Sequence, residues 1–227
     1  MPAKPSSSAF IRFLYENSLL LVGTALVLVT LVGQALTGWH ENNAGLEHMK
    51  MLPLTLGQYL GSGHFLEATF ENWESEFLQM GVYVLFTIWL RQKGSSESKK
   101  LYEEEEVDQE PDPNNPDAPG PVKQGGWQLL LYKNSLTLTF FLLFFASVWL
   151  HAKGGAEVYS IEQQQQGKPI VSTIEYMGTS RFWFESFQNW QSEFLSIVSI
   201  VGLSIYLRQK GSPQSKPINA SNDETGK

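Results

Sequence analysis

Residues 70–79 read FENWESEFLQ, and 117 positions later residues 187–196 read FQNWQSEFLS. Seven of these ten positions are identical, and each decapeptide runs directly into an apolar segment, FLQMGVYVLFTIWL at 77–90 and FLSIVSIVGLSIYL at 194–207. The same shift holds well beyond the decapeptides. Tyr15, Asn17, Ser18 and Leu19 meet Tyr132, Asn134, Ser135 and Leu136, Gly38 meets Gly155, and Tyr59 meets Tyr176. Leu-Arg-Gln-Lys-Gly-Ser at 90–95 recurs at 207–212 without a gap anywhere. One register held over this distance predicts a chain built from two tandem copies of one unit.

Each copy opens on an apolar run. Residues 18–37, SLLLVGTALVLVTLVGQALT, and 134–150, NSLTLTFFLLFFASVWL, carry no charge. About 20 apolar residues span the hydrocarbon core of a bilayer as a helix. With the two shorter runs this predicts an all-α integral membrane protein with four transmembrane helices, arranged as two same-orientation two-helix repeats. Two crossings return the chain to its starting side, so the copies are related by a pseudo-two-fold axis along the membrane normal. The organisation expected is a first repeat at 1–95, a linker at 96–126, a second repeat at 127–216 and a disordered tail at 217–227. The apolar stretch that follows Lys4 and Arg12 is too long for a signal-peptide core and has a mid-chain counterpart, so it reads as a retained helix.

The chain carries a net charge of −7, and much of it lies in EEEEVDQEPDPNNPD at 103–117. A proline-studded acidic segment buries too little apolar surface to offset its ordering entropy, so the linker is expected to be disordered, and nucleic-acid binding is not indicated. There is no cysteine, which removes disulfides, thiolate metal sites and cysteine nucleophiles. Basic residues set the orientation. Lys4, Arg12, Arg91, Lys93, Lys99, Lys100, Lys123, Lys133, Arg208, Lys210, Lys216 and Lys227 share the side of the termini and linker, whereas Lys50, Lys153, Lys168 and Arg181 lie on the other. Twelve against four predicts cytoplasmic termini in a plasma (inner) membrane, with residues 38–69 and 155–186 facing outward. Within those outer segments, Thr55 with Gln58 and Ser172 with Glu175 fit the capping-box pattern, so each should start a short helix that ends near Gly61 or Gly178.

The pair of NWxSEF segments, each followed by an apolar helix and then by Arg91-Gln-Lys-Gly-Ser-Ser-Glu-Ser-Lys99 or Arg208-Gln-Lys-Gly-Ser-Pro-Gln-Ser-Lys216, resembles a family of small bacterial membrane proteins with duplicated two-helix units. The resemblance covers both repeats. It implies a bacterial membrane location and an architecture, and it carries over no catalytic residue.

Fourteen residues from Phe77 to Leu90 reach only about 21 Å as a helix. To cross roughly 30 Å of hydrocarbon the helix must extend backward to about Glu71. Asn72, Ser75, Glu76, Asn189, Ser192 and Glu193 then fall at the outer membrane edge. Spacing puts Phe70, Trp73 and Phe77 on one face and Asn72, Ser75, Glu76 and Gln79 on another. Ionisable residues there are costly and point to function, so Glu76 and Glu193 are candidate proton or cation ligands. On the structural reading, Trp73 and Trp190 are interfacial anchors and the polar residues tie helices together. Arg91, Lys93, Arg208 and Lys210 suit the last helical turn, where they offset the helix dipole and meet lipid headgroups, and Gly94 and Gly211 suit the left-handed position that follows. His40 and His48, beside Glu41 and Glu47, and His64 lack metalloprotease spacing, and the second repeat has no matching histidines, so no metal or other cofactor is expected. His151, opposite Gln34, reads as a polar interfacial contact.

No nucleophile elbow, phosphate loop or dinucleotide fingerprint occurs. The expectation is a non-enzymatic structural or interaction protein whose partners are the bilayer and a second copy or another membrane protein. The alternatives are an ion, proton or solute carrier, channel or ligand-binding module using the paired glutamates and, with least support, a membrane enzyme.

Overall fold

The computed structural model describes residues 8–226. Lys4 and Lys227, counted above in the charge balance, lie outside the described residues. The described chain is all-helical, without a strand: α1 Ala9–Glu16, α2 Ser18–His48, α3 Leu56–Tyr59, α4 Gly63–Trp89, α5 Gly120–Gln124, α6 Gly126–Lys133, α7 Ser135–Gln165, α8 Thr173–Met177 and α9 Ser180–Tyr206, with a 3-10 turn at Glu106–Asp108. Among the described residues two helices, α2 and α7, rather than the four expected, are long and apolar enough to cross a membrane, because the apolar runs of α4 and α9 are shorter and follow polar, charged first halves. The chain divides into two compact units, one ending at Phe65 and the other starting at Leu66, so the boundary falls just inside α4.

In the first unit, the Asn17 side chain folds back on the Phe13 carbonyl at 2.8 Å and breaks α1 from α2. Helix α2 has 31 residues, about 46 Å at 1.5 Å per residue, so it outruns a ~30 Å hydrocarbon layer. Its apolar part is exposed on all sides, with Leu19 at 89% and Val29 at 70%. The hydroxyls of Thr30 and Thr37 bond to carbonyls one turn earlier, at 2.8 Å each, so these two are satisfied within the helix. After α2, Lys50 takes a left-handed conformation (φ 59°), and Met51 N–H returns to the Leu46 carbonyl at 2.8 Å, closing the helix by the Schellman pattern. Asn43 then pins the returning chain, bonding both the amide (2.8 Å) and the carbonyl (2.9 Å) of Leu54. The Thr55–Gln58 capping box starts α3. Tyr59 ends it, 1% exposed.

The same local devices occur 117 residues on. Gly167 (φ 71°) replaces Lys50, Lys168 N–H bonds the Gln163 carbonyl, and Ser160 pins both backbone groups of Val171. The Ser172–Glu175 capping box then starts α8. Thr179 accepts from Phe182 N–H at the start of α9, as Ser62 accepts from Phe65 N–H at the start of α4. Both helices begin earlier than the hydropathy suggests, at Gly63 and Ser180 rather than near the tryptophans, because these hydroxyl caps sit well upstream of the apolar runs.

In the second unit α4, α7 and α9 pack together. A β-carbon on Gly81 would stand 3.3 Å from Phe140 Cβ, so this glycine sets how closely α4 and α7 approach. The Gln79 side chain bonds the Glu193 carbonyl and Ser196 of α9, and Ser95 meets Ser204 hydroxyl to hydroxyl at 2.9 Å. The buried residues Phe144, Ser147, His151 and Gly155 of α7 follow a three-and-four spacing, so they form one helical face. Ala152, Ala156, Tyr176 and Phe182 make the buried apolar cluster beside it.

At the other end of this unit, Arg91 and Arg208 turn onto the last carbonyls of their helices. Gly94 and Gly211 are both left-handed, at φ 84° and 86°. Residues 216–226 lie over the first of these turns: Lys93 pairs with Asp223 at 2.9 Å, and Gly94 N–H donates to Thr225. Lys216 is buried, with its Nζ donating to the carbonyls of Ser221, Asn222 and Glu224. In the acidic segment Lys99 pairs with Asp108 and Lys100 with Glu103.

A buried acid–histidine cluster as candidate functional site

Helix α4 carries Glu67, Glu71 and Glu74 at spacings of four and three, which places them on one face. That face meets α7 at His151, α8 at Tyr176, and α9 at Arg181, Glu185 and Trp190, all within the second unit. His151 and Glu74 are fully buried, at 0% exposure each. His151 Nδ1 lies 3.1 Å from Glu74 Oε2, and Trp190 Nε1–H donates to the other Glu74 oxygen at 3.2 Å. The opposite ring nitrogen, Nε2, faces Glu185 Oε2 at 3.4 Å. The imidazole stacks on Phe182, with centroids 4.9 Å apart, which fixes the plane of its ring. Glu71, His151 and Glu185 each bring one ligand-capable atom within 4.8 Å of the others.

Glu185 is the most heavily bonded member. Tyr176 O–H donates to its Oε2 at 2.6 Å, and Arg181 Nε–H to its Oε1 at 2.9 Å. Burial alone would raise this carboxyl, but the bonds from His151, Tyr176 and Arg181 outweigh it and hold Glu185 below the usual carboxylate range. Arg181 also binds Glu162 at 2.6 Å and lies 4.0 Å from Glu67. Glu67 behaves oppositely to Glu185: burial, reinforced by the charge of Glu185, pushes it up to about 7. Tyr176 has one hydroxyl proton, and the shorter contact to Glu185 takes it. The 3.2 Å contact to Glu67 is therefore a hydrogen bond when Glu67 is itself protonated. Burial, then the bond to Glu185, moves the Tyr176 phenol well above its ordinary value.

The sequence-derived candidates fall elsewhere. Glu76, Asn72 and Ser192 are exposed, Glu193 and Asn189 are half-buried, and Ser75 is buried with its hydroxyl on the Asn72 carbonyl. The buried carboxylate of the first decapeptide is Glu74, two residues before Glu76. Phe70, Trp73 and Phe77 do share a face, with edge-to-face rings 5.3 and 6.4 Å apart, and Trp73 is exposed. Trp190 is instead half-buried and bonded into the cluster. His151 is a polar contact of a deeper kind than the surface one expected, enclosed between two carboxylates.

The signal that was available lies in where the two copies differ. At the positions equivalent to Glu67, Glu71, Glu74, His151, Arg181 and Glu185 stand Phe184, Gln188, Gln191, Gln34, His64 and Ala68. Tyr176, Phe182 and Trp190 keep their identity, as Tyr59, Phe65 and Trp73. In the first unit Tyr59 O–H lies 3.2 Å from His64 Nδ1, and His64 Nε2 lies 3.1 Å from Glu41. His64 is the counterpart of Arg181, so both units place a basic side chain near the buried tyrosine, but the first builds a short chain open to solvent at Glu41.

Ser186 Oγ is fully buried and has no hydrogen-bond partner among the described residues. It shares the face of Phe182 and Trp190, four residues to either side.

The family described as "Domain of unknown function (DUF6766)" matches residues 10–227. No curated protein matches the chain. No solved structure matches it.

Proposed function

The chain belongs to the DUF6766 family, and from that premise we propose that it is a non-enzymatic, multi-pass protein of the bacterial inner membrane that binds a cation where the outer ends of α4, α7 and α9 meet. In this reading α2, α4, α7 and α9 each cross the bilayer, through residues 18–37, 71–90, 134–150 and 188–207, with both termini cytoplasmic. The two-copy sequence, the exposed apolar surface of α2 and the twelve-to-four distribution of basic residues support it. The polar ends of the four helices then project into the outer interface, where the acid–histidine cluster lies.

One observation carries the functional part: the cluster joins carboxylates of the first copy's α4 to His151, Arg181 and Glu185 of the second, and it is not duplicated, because Phe184, Gln188, Gln191 and Ala68 stand at the positions equivalent to Glu67, Glu71, Glu74 and Glu185. Whatever is needed to build a hairpin occurs in both, namely the capping boxes, the pinned return strands and the seated tyrosines. The group gathers five carboxylates, Glu67, Glu71, Glu74, Glu162 and Glu185, around one fixed cation, Arg181, and none of the five has an acidic counterpart in the other copy. Five carboxylates against Arg181, and against His151 when its ring is protonated, leave a surplus of negative charge that a bound cation would offset.

Two measurements test this. The absence of cysteine makes single-cysteine labelling clean. In intact cells Gly57→Cys should react with a membrane-impermeant maleimide and Gln109→Cys should not; the reverse pattern overturns the topology. The purified chain, screened against potassium, an organic ammonium and divalent ions, should be stabilised by at least one of them, and His151→Gln should lose that response. No response to any cation overturns the binding role.

A further inference from the structure

We propose that Glu71, His151 through Nε2, and Glu185 form a site for one divalent transition-metal ion of the zinc class. The inference rests on the cation-binding reading above and narrows it to a chemical class and a set of ligands.

The argument starts from the tautomer. Glu74 is buried, cannot leave, and accepts from Trp190 on one oxygen. Its other oxygen faces His151 Nδ1 at 3.1 Å, so Nδ1 carries a proton. In the neutral ring, Nε2 then presents a lone pair. That lone pair faces Glu185 Oε2, an acceptor that already takes the Tyr176 proton at 2.6 Å. Two acceptors turned toward each other require something positive between them.

In the metal-free chain a proton on Nε2 bridges them, giving the bond to Glu185 described above, and a bound metal ion would displace that proton. A charge-assisted N–H···O bond is about 2.7–2.9 Å long, whereas Nε2 and Oε2 are 3.4 Å apart. Two ligands bound at about 2.0–2.1 Å with a tetrahedral angle stand about 3.3–3.4 Å from each other. Glu71 supplies the third ligand atom, within 4.8 Å of the others, and its side chain would close toward the ion to reach ligand spacing. A histidine whose second nitrogen donates to a carboxylate is the usual support for a metal ligand, since it fixes ring orientation and raises basicity. Glu74 is the positioning residue in that role. Imidazole nitrogen with two carboxylates suits zinc, iron or manganese, whereas magnesium prefers oxygen and retained water. Three protein ligands also leave a coordination position for water or an exchanging ligand.

The test uses the full chain in detergent, stripped with chelator and titrated with Zn²⁺ by calorimetry, with Mg²⁺, K⁺ and tetramethylammonium as separate arms. The expected result is one Zn²⁺ per chain, with Mg²⁺ bound at least 100-fold more weakly. His151→Gln and Glu71→Gln should each lower Zn²⁺ affinity 100-fold or more. Glu71→Gln leaves the His151–Glu74–Trp190 bonds in place, so it remains informative if His151→Gln misfolds. Glu74→Gln should cost about 10–100-fold while retaining the stoichiometry, as expected of a positioning residue. Failure of the wild-type chain to bind Zn²⁺, or binding that neither Glu71→Gln nor His151→Gln weakens, overturns the metal site. If K⁺ or tetramethylammonium binds while Zn²⁺ does not, the metal proposal fails and the cation-binding reading stands. If nothing binds, both fail.

Discussion

Gly155 and Tyr176 pack so closely that no side chain fits at 155 beside this ring: a β-carbon there would lie 2.4 Å from Tyr176 Cε1 and 2.6 Å from its hydroxyl oxygen. Gly38 and Tyr59 repeat the relationship in the first unit, with the hydroxyl oxygen 2.2 Å from the same imagined atom. The tyrosine reaches the helix backbone because the glycine has no side chain, and its hydroxyl is thereby delivered to Glu185 in one case and to His64 in the other.

Gly155→Ala should therefore destabilise the second unit by overpacking, by about 1–3 kcal/mol. The obstructing atoms include the ring edge, which cannot bend away. Thermal unfolding in detergent measures this. Tyr176→Phe keeps the packing and should separate the contributions, losing the bond to a charged carboxylate, worth about 1.5–3 kcal/mol. A Gly155→Ala protein as stable as wild type would show that Tyr176 is not seated as described.

Lys50 holds a left-handed conformation that its counterpart, Gly167, adopts without strain. Lys50→Gly should stabilise the turn after α2 by about 0.5–1 kcal/mol, the relief of an L-residue from that region less the added entropy of glycine. Gly167→Ala should have the opposite sign. Paired chemical denaturation of the two variants checks both directions in one experiment.

Ser186→Ala removes a buried hydroxyl that has no partner among the described residues. A lost hydrogen bond costs stability, but deleting an unsatisfied polar group does not, so the variant should be neutral or more stable by up to about 1 kcal/mol. A loss of more than that amount would reveal a partner for this hydroxyl.

The two capping boxes should respond differently to acid. Bonds from Ser172 hold Glu175 below its ordinary value, and a depressed carboxyl contributes stability that is present above its unfolded pKa and lost as pH falls through the folded one. Helix α8 should therefore loosen in acid, below the ordinary carboxylate pKa, whereas α3, capped by Gln58, should not. Amide exchange over 173–177 and 56–59, compared at neutral and acid pH, reads this directly, and Glu175→Gln should abolish the difference. At the alkaline end the sign reverses. Burial, then the charge of Glu41, raises Tyr59, so its contribution is complete below the unfolded phenol value near 10 and is lost as pH climbs beyond it. Tyr59→Phe should flatten the alkaline limb of the stability profile.

Much of the hairpin design was legible from residues alone because it is local. A capping box joins positions three apart, and a left-handed glycine follows its own helix, so Thr55–Gln58, Ser172–Glu175, Gly94 and Gly211 could be assigned from neighbours. The start of α4 and α9 was harder, because hydropathy marks where a helix becomes apolar and the hydroxyls of Ser62 and Thr179 mark where it begins. Glu76 and Glu193 stand out in the sequence because the two decapeptides share them. The charged members of the cluster are what the two copies do not share.

By itself the sequence determined that the chain is helical, that it is written in two copies 117 residues apart, and where each short outer helix starts. Those are properties of periodicity and of contacts a few residues apart, and they survive without knowledge of packing. Only the tertiary structure decided that Glu74, rather than Glu76, is the buried acid, and that it meets a histidine 77 residues away. Burial and long-range approach depend on how helix faces pack, and a carboxylate reads the same in sequence whether it faces water or another helix.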